Sequence, residues 1–289
     1  LRACALLAVA AATAGLALAA RPPGPPAELT VSFLAVGQGD ATLIQHGRAA
    51  VLVDTGPPDG QILKLLRKAG VRRLDVLVAT HAALDHDGAA AEVLQDIDVG
   101  MVLDGEEAIA EPDARLRRPA GPFGARAAQP VATLAARHGV RVLRSDAGQV
   151  LRAGPLELRV LSPRRDPAAP AGAEPNDRAT VLHVRDGSFD LLLTADAESN
   201  VTAGLDLPVV DALKVAHHGS DDPGLPALLE RLRPRVAVIP VGKRNLYGHP
   251  TADTLAALTA AVPIVRRTDR DGTVRLRVHD GRVTVEREA

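Results

Sequence analysis

Residues 75–88 read DVLVATHAALDHDG: an apolar strand over 75–79 that runs directly into Thr80-His81-Ala82-Ala83-Leu84-Asp85-His86-Asp87-Gly88. A histidine, a carboxylate and a second histidine within six residues, at a turn from strand to helix, can converge on one cation. Imidazole together with carboxylate suits zinc, manganese or iron. A surface loop can carry such a run by coincidence, so its weight depends on what the other strand ends hold.

Three of them behave alike. The stretch 191–198, LLLTADAE, is an uninterrupted apolar strand ending on an acid, which puts Asp196 at a rim where it can bridge metals or cap the next helix. Residues 213–220, LKVAHHGS, deliver His217 and His218 to the end of another strand. Residues 241–250, VGKRNLYGHP, follow the strand VAVIP and bring Lys243, Arg244, Tyr247 and His249. Polar clusters repeated at the ends of buried strands describe a site. His46, His138, His183 and His279 fall outside these clusters and read as surface or strand residues.

Outward from these ends, the pattern predicts strands over 29–36 and 49–53 separated by a turn at His46-Gly47, then a helix over 61–69 capped by Asp59 and stopped by Gly70. Further helices are expected near 89–95, 131–138, 224–232 and 252–261, with strands over 100–103, 140–144, 212–215 and 235–240 and a terminal strand series. Hairpins are expected over 147–162 and 180–194, the latter turning at Asp186-Gly187, while 105–130 and 163–178 read as loops. Antiparallel clusters with interspersed helices argue for an α/β sandwich in which helices cover two sheets.

Composition limits the function classes. The 289 residues hold 34 Lys and Arg against 35 Asp and Glu, a net charge of −1, so the chain is not a globally basic nucleic-acid binder. Aromatics make up 1% (Phe33, Phe123, Phe189 and Tyr247), which leaves no platform of several rings for stacked bases. A single cysteine, Cys4, excludes a disulfide framework and a Cys-based zinc finger, leaving the metal chemistry to nine histidines and the carboxylates.

The sequence opens on Leu and is expected to be a fragment or a processed piece. Between Arg2 and Arg21 lie 18 uncharged residues, ACALLAVAAATAGLALAA, long enough to span a bilayer as a helix and equally shaped like an export signal ending in Ala17-Leu18-Ala19. The Pro-rich run after it cannot continue a helix. The expected layout is a transmembrane or signal segment over 1–20, a linker over 21–27 and a single large domain over 28–289.

Taken in order, Val36-Gly37-Gln38-Gly39-Asp40, Val53-Asp54-Thr55-Gly56, the His81 to His86 loop, Asn176-Asp177, Thr194-Ala195-Asp196, His217-His218-Gly219-Ser220 and Tyr247-Gly248-His249-Pro250 resemble the metallo-β-lactamase superfamily. Within it the match is nearest to the C-terminal hydrolase domain of ComEC, the membrane channel of bacterial DNA uptake, and covers nearly all of 28–289. The resemblance implies an αββα metallo-β-lactamase sandwich, here preceded by one N-terminal hydrophobic helix, with one or two divalent ions, zinc or manganese, along one edge. It makes His81 a ligand of a first metal, with Asp85, His86 and His217 on a second and Asp196 bridging the two. Asp85 doubles as a proton acceptor, and His249 is a further ligand or a general acid. Lys243 and Arg244 hold the phosphate or stay solvated. Asp54 orients a metal-bound histidine, and Gln38, Asp40, Asn176, His218 and Tyr247 complete the rim.

One position departs from the superfamily's His-x-His-x-Asp-His loop: its third residue is Ala83, which cannot bind a cation. The first metal loses a ligand unless Asn176 or Asp177 fills the gap. The resemblance implies a phosphodiesterase or nuclease that degrades DNA during competence-related uptake, at the cell membrane with the domain on the extracytoplasmic side. The implied partners are DNA, single-stranded or duplex, the membrane through the N-terminal segment, and other DNA-uptake proteins. Two rivals stand beside it: a free-standing exported hydrolase of another phosphoester or an ester, and a catalytically weakened scaffold domain of a DNA channel. The motif set belongs to a different branch from the β-lactam-hydrolysing enzymes.

Overall fold

The computed structural model describes residues 23–105, 129–164 and 174–288. The apolar segment 1–20, the start of the linker, and most of the loops expected over 105–130 and 163–178 lie outside them. Among the described residues no helix is long and apolar enough to cross a membrane.

Among the described residues seventeen strands form two large sheets and one small ladder. In chain order they are β1 Leu29–Phe33, β2 Thr42–His46, β3 Ala49–Val53, β4 Arg73–Leu74, β5 Val76–Ala79, β6 Asp98–Val99, β7 Met101–Asp104, β8 Arg141–Arg144, β9 Val150–Ala153, β10 Leu156–Ser162, β11 Val181–Asp186, β12 Phe189–Leu193, β13 Ala212–Lys214, β14 Val236–Ile239, β15 Ile264–Arg267, β16 Val274–His279 and β17 Arg282–Arg287. The first sheet runs β17-β16-β1-β2-β3-β5-β7-β8, the second β15-β14-β13-β12-β11-β10-β9, and β4 pairs with β6.

Three apolar layers make the sandwich. Val31, Phe33, Val51 and Val78 from the first sheet meet Leu158, Leu182, Leu191 and Val238 from the second. The outer face of the first sheet buries Leu52 and Leu77 under helices Ile62–Lys68, Ala90–Asp96 and Val131–Arg137. The outer face of the second buries Leu192, Leu213 and Ala237 under helices Leu225–Leu232 and Ala252–Ala261. Central strands such as β3 (AAVLV) and β14 (VAVI) are covered on both faces, and so read as continuous apolar runs.

Each sheet is mixed. β3, β5, β7 and β8 are parallel, as are β12, β13, β14 and β15, while the flanking hairpins are antiparallel. The carboxyl ends of β3, β5, β12, β13 and β14 gather at one edge, where an open α/β sheet ordinarily binds its ligand. The sequence pattern missed β2, because the polar Gln45 and His46 hide its apolar character. Asp59 does not cap the first helix: Gln61 is the N-cap residue, with no side-chain cap.

Candidate metal centre

The site is built by chain reversals at those strand ends. After β3, Asp54 adopts a left-handed backbone (φ 59°) and turns its carboxylate under the next strand end, where Thr80 donates to it through both N–H and Oγ1 at 2.8 Å. After β12, Ala195 is left-handed (φ 47°), and after β13 His217 and His218 are both left-handed (φ 47° and 54°). Non-glycine residues reach this region at a cost, and such residues cluster where function over-determines the backbone. Gly39 is required for a different reason: a Cβ there would stand 2.2 Å from the Asp85 carbonyl oxygen.

Four imidazoles share one arrangement. His81 Nδ1 lies 3.1 Å from Thr80 Oγ1, whose proton is committed to Asp54. His86 Nδ1 lies 2.8 Å from Asp54 Oδ2, His217 Nδ1 2.9 Å from Glu198 Oε1, and His218 Nδ1 2.9 Å from the Pro240 carbonyl oxygen. An acceptor at each Nδ1 holds a proton there and turns Nε2 inward, so that an Nε2 free of its own proton is in the tautomer that a metal ligand needs.

The Nε2 atoms converge on Asp196, which is buried at the end of its strand and caps no helix; the N-cap of helix Ser199–Thr202 is Glu198. His86 Nε2 is 3.1 Å from Asp196 Oδ1, while His81 Nε2 and His217 Nε2 are each 3.9 Å from Oδ2. The two oxygens of one carboxylate thus face two histidine groups. One group is closed: Asp85, His86, Asp196 and His218 offer ligand atoms that all lie within 4.8 Å of one another. Its fourth donor is His218, not the expected His217, because Glu198 holds His217 on the His81 side.

The donor set fits a divalent ion. His81 Nε2 is buried with no hydrogen-bond partner, and His86 Nε2 and Asp196 Oδ1, buried beside it, have only each other at 3.1 Å, though under-partnered buried polar atoms are costly. Charges are balanced internally. Burial would push the His218 imidazole down, but the Asp40 carboxylate and hydrogen bonds to Asp40 and Asp85 lift it to about 9. His86 is raised well above the ordinary value, its burial outweighed by Asp196, Asp54 and Asp40. Burial, together with neighbouring His86, takes His81 down to about 4. The His217 hydrogen bond to Glu198 raises the imidazole and lowers the carboxyl.

A cleft of about 150 Å³ opens onto this group, with Ala83, Asp85, Asn176, His217, Tyr247 and His249 among its walls. Gln38 also lines it and accepts the Gly242 N–H at 3.1 Å, tying the two halves of the sandwich together. Asp40 and Asp54 lie buried behind the histidines. Of the two residues expected opposite Ala83, Asn176 reaches the cleft, its Nδ2 3.5 Å from His217 Nε2, whereas Asp177 accepts a hydrogen bond from Asn200. Lys243 is exposed on its loop and is not among the residues that line the cleft.

Two residues at the site went unread in the sequence. Lys214 is buried in β13, donates to the Ala195 carbonyl oxygen at 2.6 Å and pairs with Asp40. Glu198, which orients His217, also accepts from Ser220 Oγ at 2.5 Å. A lysine inside an apolar strand was the available signal for the first, since such a charge requires carboxylate partners.

Several known proteins resemble the chain over most of its length. ComE operon protein 3 of Bacillus subtilis (strain 168) is 29% identical over 274 residues, which cover 86% of this chain and 33% of that protein. Recombination protein 2 of Haemophilus influenzae is 28% identical, covering 89% of this chain and 30% of its own length, and Competence protein ComA of Neisseria gonorrhoeae 27%, covering 91% and 34%. The chain therefore spans about a third of the length of these curated relatives. Among solved structures, CmlA, a diiron β-hydroxylase from Streptomyces venezuelae, superposes with a TM-score of 0.51 at 17% identity over 83% of this chain and 53% of that one. The metallo-β-lactamase fold protein YhfI from Bacillus subtilis gives 0.50 at 14% identity over 82% and 96%, and at such identities both likenesses concern the fold alone. A family match over residues 34–243 takes in most of both sheets and the strand ends that carry the histidines, so the chain belongs to the metallo-β-lactamase superfamily, and its curated relatives are ComEC-type competence proteins.

Proposed function

We propose that this chain is the hydrolase part of a ComEC-type protein and cleaves phosphodiester bonds of DNA during competence-related uptake. The observation that carries the reading is the convergence of four Nε2 lone pairs and the Asp196 carboxylate beneath an open cleft. Asp85, His86, Asp196 and His218 would hold one divalent ion, zinc or manganese, with His81 and His217 on the other side of Asp196. A divalent ion there supplies Lewis-acid activation of water and neutralises charge developing on phosphoryl oxygens. Asp54 and Glu198 keep the imidazoles in the ligating tautomer. His249, a cleft wall whose buried Nδ1 has no partner, stands where it can protonate a leaving oxygen, and burial beside His217 holds its pKa below the ordinary value.

The names of the relatives, Competence protein ComA and Recombination protein 2 among them, support the competence setting. In this reading residues 1–20 anchor the domain in the cell membrane, 21–27 tether it, and 28–289 work on the extracytoplasmic side beside other DNA-uptake proteins. Ala83 favours one second reading, a weakened scaffold domain, because one side of Asp196 lacks a donor at that position.

The test is cleavage of labelled single-stranded DNA with Mn²⁺, Zn²⁺, Mg²⁺ or EDTA, beside Asp196→Ala and His218→Ala. Ion-dependent cleavage lost in both variants is the expected result. A folded protein that binds an ion and cleaves no DNA would point to another ester; one that binds no ion, to the scaffold.

A further inference from the structure

Resting on the DNA-hydrolase reading, we infer that Tyr247 forms a subsite for one unpaired nucleobase next to the scissile phosphate. Phe33 and Phe189 are spent in the core, at 0% and 3% exposure, and Phe123 lies outside the described residues. Tyr247 is 71% exposed and Leu246 beside it 84%, yet Tyr247 is also a wall of the catalytic cleft. The ring lies nearly parallel to His249, at 12° with centroids 5.9 Å apart, and His249 lies 5.7 Å from His217, so one face of the phenol looks outward a short step from the ligand histidines.

The loop is built to hold the ring in place. Asn245 Nδ2 donates to the carbonyl oxygens of Gly242 (3.2 Å) and His249 (2.9 Å), and its Oδ1 accepts the His249 N–H at 3.0 Å. Gly242 packs so closely on Gln38 that a Cβ would stand 2.6 Å from its backbone nitrogen. A ring carried on a fixed backbone leaves less freedom to be lost on binding than one on a loose loop. Lys243 and Arg244, exposed on the same loop, give the cationic companion that a nucleic-acid backbone needs. A stacking ring with adjacent cations is how sequence-tolerant single-strand binders take a base. The absence of a multi-ring platform limits the subsite to one base, and stacking on it requires that base to be unpaired.

Tyr247 is the chain's sole tyrosine and there is no tryptophan, so intrinsic tyrosine fluorescence reports this one ring. The full chain, loaded with its ion, is titrated with an oligothymidylate and with an abasic oligomer of equal length, with affinity read in parallel by anisotropy. The oligothymidylate should quench the emission saturably and the abasic oligomer should not. Tyr247→Ala should weaken oligothymidylate binding roughly 5- to 150-fold while leaving abasic binding alone, and Tyr247→Phe should restore it. Equal quenching by the two oligomers, or parent-like binding by Tyr247→Ala, would overturn the subsite. The quench without cleavage keeps the subsite and removes the hydrolase reading; cleavage without base-dependent quench does the reverse.

Discussion

Lys214 and Asp40 form a buried ion pair that joins the two sheets directly behind the ligand histidines, each residue no more than 3% exposed. Lys214 belongs to β13 of the second sheet and Asp40 to the connection between β1 and β2 of the first. The ammonium also lies 3.9 Å from Asp196 Oδ1, so one internal cation offsets two carboxylates of the site.

Removing one member of a buried pair strands the other. Lys214→Met should therefore cost about 3–5 kcal/mol in urea unfolding of the ion-free protein, and Asp40→Leu combined with Lys214→Met should cost less than the two single changes added. Burial works to raise the Asp40 carboxyl, but Lys214, His218 and His86 hold it down at about 2, against an ordinary 3.8. With the folded value depressed, the contribution is full above about pH 4 and disappears as pH falls toward 2. An additive double mutant would mean that the pair carries no coupling.

Asp54 acts through His86. With Thr80 donating to both its oxygens, Asp54 keeps the imidazole proton on Nδ1, and Asp54→Asn removes that charge without removing a ligand. Outer carboxylates of this kind are worth about 10–100-fold in metal affinity. Competition against a fluorescent chelator should show a loss in that range with an unchanged number of ions per chain. An unchanged affinity would mean that His86 holds its ligating orientation without the Asp54 charge.

Much of this centre was legible from the rule that apolar strands ended in His, Asp or His-His. The apolar runs before His81, Asp196 and His217 fixed where the polar atoms must emerge, since a strand buried on both faces has only its ends for chemistry. The choice between His217 and His218 was not legible. Both are left-handed and adjacent, and what separates them is Glu198 on one side and the Pro240 carbonyl on the other, contacts made by segments about twenty residues away. Where Lys243 would face was not legible either, because position in a motif says nothing about the direction of an exposed loop residue.

Ion binding should release protons. In the ion-free protein the surrounding carboxylates hold the His218 imidazole up at about 9, so it carries its extra proton at pH 7.5, and they raise His86 well above the ordinary histidine value. A ligating Nε2 must be bare, so each site filled by these residues displaces protons. Calorimetry in buffers of different ionisation enthalpy should show net proton release, and affinity should climb as pH rises from about 6.5 toward 9. A pH-independent affinity across that window would count against His218 as a donor.

Ala83 sets the number of ions. On the Oδ1 side of Asp196, four donors close around one position. On the Oδ2 side, among the described residues, His81 Nε2 and His217 Nε2 accompany the carboxylate, each 3.9 Å from it, and Ala83 stands in the cleft wall as a methyl group. Four N or O donors close the first position, whereas the second has three, loosely spaced, and is left open to solvent. The parent chain should therefore retain close to one equivalent of ion after dialysis. Ala83→Asp adds a carboxylate facing the open flank and should raise that to two, read by elemental analysis with no reference to activity. Asn176→Ala in the Ala83→Asp background checks whether the carboxamide 3.5 Å from His217 assists. Two tightly held ions in the parent would show that Asn176 or solvent completes the second position, and that the alanine leaves the centre dinuclear.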